Sequence, residues 1–82
     1  MKTAVITGAA NGLGRALTEY LTEKGWKVFA LDYNVEQLAT FKHAHIIPVQ
    51  VDVTDDESVS IALKNINEQT QELDAIINFA GI

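Results

Sequence analysis

The feature that most constrains the fold is a glycine-rich turn directly after a short apolar stretch. The segment Thr7-Gly8-Ala9-Ala10-Asn11-Gly12-Leu13-Gly14 follows Thr3-Ala4-Val5-Ile6, an order that predicts a strand, a tight turn and a helix. We expect Gly8 to permit the turn, Gly12 to let an anion approach the backbone, and Gly14 to bring the helix close to its strand. The start of such a helix presents unpaired N–H groups and a positive dipole end. The segment therefore predicts a binding site for a diphosphate group.

Beyond this turn, short β-rich stretches alternate with helical patterns, which is typical of a parallel sheet with crossover helices. We predict four strands at residues 4–7, 27–32, 46–51 and 75–79. Pro48 lacks a backbone donor, which favours an edge position for the third strand.

Three helices are predicted between the strands. The first ends at Gly25 and carries an apolar face of Leu13, Ala16, Leu17, Tyr20 and Leu21. Asn34 and Gln37 form a capping-box pattern that begins a short second helix before Leu38 and Phe41. Thr54 and Glu57 repeat the pattern for a third helix, whose buried face we predict as Val59, Ala62, Leu63, Ile66 and Leu73.

Taken together, these landmarks resemble the short-chain dehydrogenase/reductase family. That family carries T-G-x-x-x-G-x-G near its N-terminus, and the resemblance continues through Asp32, Asp52-Val53 and Asn78-Phe79-Ala80-Gly81. It implies half of a Rossmann fold, an α/β arrangement whose four-stranded parallel sheet has the order 3-2-1-4 and helices on both faces. Residues 1–82 would then be the cofactor-binding segment of such an enzyme, truncated before the catalytic half.

Asp32 dominates the choice of cofactor. It ends the second strand 18 residues after Gly14. This is near the spacing of about 20 at which a carboxylate binds the ribose hydroxyls of NAD and repels the 2′-phosphate of NADP. NADP-dependent members that resemble this chain place a basic residue where Asn11 or Tyr33 stands here. We interpret Arg15, the nearest cation, as a solvated helix residue. NAD is therefore predicted over NADP.

The resemblance also implies roles for the later landmarks. Asp52 would face the adenine amino group, Val53 would form an apolar wall, and the small Ala80-Gly81 end would let the nicotinamide side approach. Phe79 departs from the family's asparagine, which argues against a polar role there and adds apolar surface to the last strand. The residues expected to contact the cofactor are Gly8, Asn11, Gly12, Leu13, Gly14, Asp32, Tyr33, Asp52, Val53, Asn78, Ala80 and Gly81.

No catalytic residue is predicted in this chain, since the family's Tyr-x-x-x-Lys pair belongs to a later helix. Tyr20 and Lys24 match that spacing, but we assign them to packing and to the end of the first helix. His43 and His45 lack a third ligand nearby, so no metal site is predicted.

Composition limits the remaining functional classes. A formal charge of −5 opposes binding to nucleic acid or anionic membrane, and no apolar segment is long enough to be a membrane span. The absence of cysteine excludes a disulfide framework. We expect a soluble cytoplasmic chain.

Two interpretations follow. The chain is the NAD-binding segment of an alcohol or carbonyl oxidoreductase, inert on its own, or it is a truncated or engineered half-fold that acts as a self-associating module. Because the fourth strand is an exposed apolar edge, we expect it to pair with its copy in a homodimer.

Overall fold

Strands and helices alternate along the whole described chain. The structure is a computed structural model that describes residues 1–70 and 72–79. Within these residues four strands alternate with three helices: β1 (Thr3–Thr7), α1 (Gly12–Glu23), β2 (Lys27–Asp32), α2 (Val35–Leu38), β3 (Ile46–Gln50), α3 (Asp56–Gln69) and β4 (Ala75–Asn78). The predicted elements are confirmed, with strand ends that differ by one residue at β1, β3 and β4.

The four described strands form one parallel sheet in the order β3-β2-β1-β4, as predicted. The two inner strands are buried for most of their length, from Thr3 to Ile6 and from Val28 to Leu31. Pro48 lies opposite Ala30 on the outer strand β3. The edge position expected for this proline is therefore confirmed.

Alternating side chains divide the core between the two sheet faces. On one face Ile6, Val28 and Ala30 belong to an apolar cluster that receives Leu17 and Leu21 of α1. The other face has a second cluster, which includes Val5, Phe29, Leu31 and the α3 residues Ala62 and Ile66. Helices thus cover both faces of the sheet, as a Rossmann arrangement requires.

The buried face of α1 differs from the predicted one. Gly14, Thr18 and Thr22 are buried, whereas Leu13 and Tyr20 are 69% and 55% exposed and Ala16 is also exposed. Burial of the threonines is possible because each hydroxyl donates to the carbonyl oxygen four residues earlier, at 2.7 and 2.6 Å. Assigning Tyr20 to the packed face was therefore wrong. The helix ends before Gly25, whose φ of +90° is as expected for a glycine stop.

Of the two helix caps predicted from the sequence, the one at α2 is confirmed and the one at α3 is wrong. Asn34 Oδ1 accepts the N–H of Gln37 at 3.1 Å, as predicted for α2. For α3 the cap is Asp55 rather than Thr54, and its Oδ1 accepts the N–H groups of Glu57 and Ser58 at 3.0 and 3.4 Å.

The predicted face of α3 is confirmed only in its centre. Ala62 and Ile66 are buried and Val59 packs beside them, but Leu63 is 38% exposed. Leu73 joins the same cluster from beyond the end of the helix. None of the helices in the described part of the chain combines the length and the apolar character that a membrane crossing requires.

Candidate functional site

A cleft of about 680 Å³ lies at the carboxyl ends of the strands. Its position is where open α/β sheets bind ligands, beside the point at which the strand order reverses from β1 to β4. The described residues that line it are Gly8, Asn11, Gly12, Leu13, Gly14, Asp32, Tyr33, Val51, Asp52, Val53, Thr54 and Phe79. The structure thus brings together nine of the residues predicted from the sequence. It adds Val51, Thr54 and Phe79.

The glycine turn is built on backbone conformations and contacts that other residues fit poorly. Gly8 and Gly12 have φ values of +69° and +60°. A Cβ on Gly14 would lie 2.0 Å from the carbonyl oxygen of Gly8 and 3.2 Å from the Cα of Ala9. Gly14 therefore brings α1 against the turn itself, whereas we had expected it to bring the helix against the strand.

Hydrogen bonds from two backbone N–H groups anchor the turn to β2. The N–H of Ala9 donates to the carbonyl oxygen of Leu31 at 3.1 Å, and the N–H of Ala10 donates to Asp32 Oδ2 at 3.0 Å. Both alanines are fully buried. The turn and the end of β2 consequently form one connected unit.

The start of α1 carries no side-chain cap. The side chain of Asn11, at the cap position, makes no capping hydrogen bond within the described residues. The first turn, Gly12-Leu13-Gly14-Arg15, contains no acidic residue. The N–H of Arg15 donates to the carbonyl oxygen of Asn11 at 3.3 Å. The N–H groups of Gly12, Leu13 and Gly14 precede the first internal helical bond, so together with the positive end of the helix dipole they are available to an acceptor from outside the helix.

Asp32 is held in place from two sides at the rim of the cleft. Its Oδ2 accepts the Ala10 N–H and its Oδ1 accepts the N–H of Asn34, both at 3.0 Å. Each carboxylate oxygen has two acceptor positions, so both can accept a further hydrogen bond. The sequence predicted the carboxylate but not its two backbone donors.

Asp52 is held by the residue that had been predicted to cap α3. Its Oδ1 accepts both the hydroxyl and the N–H of Thr54, at 2.6 and 3.0 Å. The hydroxyl first, and the N–H second, hold the pKa of Asp52 below its ordinary value of 3.8. The cleft thus contains a carboxylate that stays charged at neutral pH.

Comparison with known proteins identifies the family. The model of the short chain dehydrogenase family matches residues 2–82. The chain belongs to the short-chain dehydrogenase family.

Individual relatives differ in the substrates that their names state. The chain is 35% identical over 89 residues to bovine (Bos taurus) 15-hydroxyprostaglandin dehydrogenase [NAD(+)], covering 99% of the chain and 34% of that enzyme. An NAD-dependent glycerol dehydrogenase of Listeria innocua is 34% identical over 84 residues, covering 99% of the chain and 33% of the enzyme. A solved 4-hydroxyisoleucine dehydrogenase, complexed with NADH, is 31% identical with a TM-score of 0.88, covering all of the chain and 35% of that structure. The chain spans about a third of the length of the curated relatives it matches.

Of the described residues after α3, Phe79 is the one that lines the cleft of this short-chain dehydrogenase chain. Asn78 accepts a hydrogen bond from the hydroxyl of Thr7, its neighbour across β1 and β4, and does not line the cleft. Phe79 does line it, and also packs against the cluster that contains Ile6. We had expected Phe79 to add apolar surface to the exposed last strand. Its side chain is instead partly buried against the core. Ala80 and Gly81 lie outside the described residues.

Arg15 is not the solvated residue that we predicted. Its side chain is 27% exposed, forms an ion pair with Glu19, and donates to the carbonyl oxygen of Ala10 and to Thr40 Oγ1. The contact with Thr40 joins residues that are 25 apart in the sequence, so helical periodicity could not predict it.

The residues rejected as catalytic or metal-binding lie outside the cleft. Tyr20 is exposed on α1, with the Lys24 ammonium 5.4 Å from its ring centre. His43 and His45 have ring centres 5.4 Å apart, and the N–H of His45 donates to His43 Nδ1. Across residues 1–70 and 72–79, no three His, Cys, Asp or Glu side chains form a group that could hold a metal ion.

Proposed function

We propose that the chain is the NAD-binding segment of an alcohol or carbonyl oxidoreductase, and that its cleft holds the adenosine and diphosphate part of NAD. The uncapped start of α1 supports a diphosphate at Leu13 and Gly14, whose N–H groups lie in the first turn. Gly12 supports close approach, because a Cβ there meets no described atom within 4 Å and would project into open space.

The position of Asp32 is the observation that carries the proposal. Its carboxylate is fixed by the N–H groups of Ala10 and Asn34, one from the glycine turn and one from the start of α2. A diphosphate on the turn therefore puts the adjoining ribose next to this carboxylate. The two remaining acceptor positions match the two ribose hydroxyls of NAD.

Charge in the cleft favours NAD over NADP. A 2′-phosphate beside Asp32 would meet repulsion of up to about 4 kcal/mol for unit charges at 4 Å and an effective dielectric near 20, and less with salt. Among the described lining residues none is lysine or arginine. The nearest cation, Arg15, already binds Ala10, Glu19 and Thr40.

The part of the cleft lined by Tyr33, Asp52 and Val53 suits an adenine ring. Val53 and Tyr33 are 43% and 68% exposed and line the cleft, where they provide apolar surface. The charged Asp52 is an acceptor for the adenine amino group. We assign Asn78, Ala80 and Gly81 to the nicotinamide side, as the family resemblance implies.

Bound NAD supplies a hydride acceptor, and the oxidoreductase as a whole would act on an alcohol or carbonyl. The named relatives act on a prostaglandin, on glycerol and on a hydroxylated amino acid, so the family does not define one substrate. We propose that the 82-residue chain alone binds NAD without oxidising a substrate, since the described cleft lining has no tyrosine–lysine pair.

Calorimetric titration with NAD, NADP and ADP-ribose tests the proposal, with Asp32→Ala as the binding variant. Asp56→Ala is the matched control, because it removes the same charge from an exposed position on α3. We expect NAD to bind more tightly than NADP, Asp32→Ala to weaken NAD binding about tenfold, as for the loss of charge-assisted hydrogen bonds, and Asp56→Ala to leave it unchanged. Failure of the folded chain to bind NAD or ADP-ribose would contradict the proposal.

Self-association is a second candidate function, favoured by β4. This strand is an outer strand of the described sheet, and Ile76 on it is 62% exposed. Two copies could pair β4 with β4 about a two-fold axis, which would bury the apolar edge. Light scattering at high protein concentration tests this candidate: a dimer mass that Ile76→Lys reduces to a monomer supports it, and a monomer mass for the unsubstituted chain removes it.

A further inference from the structure

Arg15 lies at a junction between separate parts of the proposed NAD site. Its Nη1 donates to the carbonyl oxygen of Ala10 at 3.1 Å and to Thr40 Oγ1 at 2.8 Å, and its Nε donates to Glu19 at 2.9 Å. The guanidinium carbon lies 4.3 Å from the centre of the Phe41 ring. The side chain therefore joins α1, the glycine turn and the segment that follows α2.

The donors that orient Asp32 come from the glycine turn and from the residue that precedes α2. One donor is the N–H of Ala10, the residue whose carbonyl oxygen binds Arg15. The other is the N–H of Asn34, which also caps α2. Arg15 thus joins the glycine turn, which supplies the first donor, to Thr40 at the opposite end of α2 from the second donor.

The contact with Thr40 extends to the end of α2. The Thr40 hydroxyl accepts from Arg15 and donates to the carbonyl oxygen of Gln37 at 2.6 Å. The N–H of Gln37 in turn donates to Asn34 Oδ1. A chain of hydrogen bonds therefore runs from Arg15 through α2 to the second donor of Asp32.

We propose that Arg15 is a positioning residue for discrimination between NAD and NADP. By fixing the glycine turn relative to α2, it sets the direction in which the Asp32 carboxylate faces the ribose. This inference rests on the proposed function, because it concerns the same NAD site. The guanidinium does not itself bind the cofactor in this arrangement.

The role requires the shape of arginine as well as its charge. A planar guanidinium directs several N–H groups along diverging lines, so it can bind Ala10, Thr40 and Glu19 at the same time. The ammonium group of lysine is a compact point charge and cannot reproduce this bridge. Arg15→Lys therefore separates positioning from charge.

The test compares NAD and NADP affinities of Arg15→Met, Arg15→Lys and the unsubstituted chain by calorimetry at one ionic strength. We expect both variants to bind NAD roughly five- to tenfold more weakly and NADP less than about twofold more weakly, because a misdirected carboxylate both binds ribose and repels the 2′-phosphate less well. The NAD-to-NADP affinity ratio should therefore fall. Glu19→Gln is the matched control, because it removes the ion pair but leaves the contacts of Arg15 to Ala10 and Thr40, and it should retain the ratio.

A purely structural role gives a different result. Loss of folded protein lowers both affinities equally, so an unchanged ratio in folded Arg15→Met would overturn the inference. Circular dichroism reports whether each variant is folded. If Arg15→Met does not fold, Thr40→Val replaces it in the test. A fall in the NAD-to-NADP affinity ratio, smaller than the fall expected for Arg15→Met, supports the inference. An unchanged ratio overturns it. Absence of NAD binding by the unsubstituted chain would overturn the proposed function together with this inference, whereas binding with an unchanged ratio overturns the inference alone.

Discussion

The first and third helices begin in opposite ways. At α3 the Asp55 carboxylate accepts the N–H groups of Glu57 and Ser58, and the first turn contains two further acidic residues. At α1 the Asn11 side chain makes no such bond within the described residues, and the first turn is Gly12-Leu13-Gly14-Arg15. The N–H groups in the first turn are thus bound by a side chain at α3, whereas at α1 no described side chain binds them.

This difference separates a helix start that is capped internally from the one that we propose as the diphosphate site. A missing side-chain cap costs a helix about 1 kcal/mol of stability. At α1 the uncapped end faces the cleft, where a bound diphosphate would supply the missing acceptors. The comparison teaches that a missing side-chain cap, when the preceding turn is held by hydrogen bonds, indicates a candidate anion site.

The largest expected effect comes from Gly14→Ala. Its Cβ would lie 2.0 Å from the Gly8 carbonyl oxygen, so α1 must move away from the turn. We expect the free energy of unfolding to fall by about 3 kcal/mol, as for severe overpacking. NAD affinity should fall about 100-fold or more, since more than one charge-assisted hydrogen bond is lost. Urea denaturation and calorimetry measure the two effects, and a Gly14→Ala variant that binds NAD normally would show that this close contact is unimportant.

Gly12→Ala and Gly25→Ala form a matched pair. Both glycines have positive φ, at +60° and +90°, and a Cβ on either meets no described atom within 4 Å. Each substitution should cost about 1 kcal/mol of stability, the usual penalty for an L-residue in this conformation. Gly12→Ala alone should also lower NAD affinity, roughly tenfold, because its Cβ occupies the space of the diphosphate. Equal affinities for the two variants would contradict a diphosphate at Gly12.

Asn11→Asp would give α1 the kind of cap that α3 has. A carboxylate at this position should raise the free energy of unfolding by about 0.5 to 1 kcal/mol through the N–H groups and the helix dipole. It should lower NAD affinity by roughly tenfold, because the same groups can no longer bind the diphosphate and the added charge repels it.

Asp55→Ala is the reciprocal change at α3. It should lower the free energy of unfolding by about 1 kcal/mol and leave NAD affinity unchanged in the folded chain. Thermal denaturation and NAD titration of both variants measure the contrast. If Asn11→Asp gained stability without losing affinity, the start of α1 would not be the anion site.

The smallest effect concerns the pH dependence near Asp52. The pKa of Asp52 is lowered in the folded chain, so its contribution to stability is present above the ordinary value of 3.8 and is lost as pH falls through the folded pKa. Thr54→Ala removes the hydroxyl donor but keeps the N–H. We expect the Asp52 pKa to rise part of the way toward 3.8, as measured by NMR titration of the carboxyl carbon. If the Asp52 pKa does not rise, the Thr54 hydroxyl is not the main cause of the lowered pKa.

The sequence predicted the sheet well because apolar strands and Pro48 carry strong local signals. It predicted the α1 face less well, since periodicity treats threonine as polar while Thr18 and Thr22 satisfy their hydroxyls within the helix and become buried. Thr54 and Asp55 are neighbouring residues that can both cap a helix, and the choice depends on Asp52, which binds Thr54.

The glycine turn and Asp32 were also predictable, because their spacing follows the strand ends, whereas Asp52 was predicted from the family resemblance. The contacts of Arg15 with Thr40 and Phe41 were not predictable. They exist only after α1 and the segment beyond α2 pack on the same sheet face, and no local pattern reports that packing.

The most direct test of the central claim is an NMR titration of the ¹⁵N-labelled chain with ADP-ribose. The account predicts saturable shifts of the Leu13 and Gly14 amide signals, with the Glu57 and Ser58 amides unchanged. Saturable binding that left Leu13 and Gly14 unshifted, or that shifted both helix starts equally, would contradict the claim that the uncapped start of α1 is the diphosphate site.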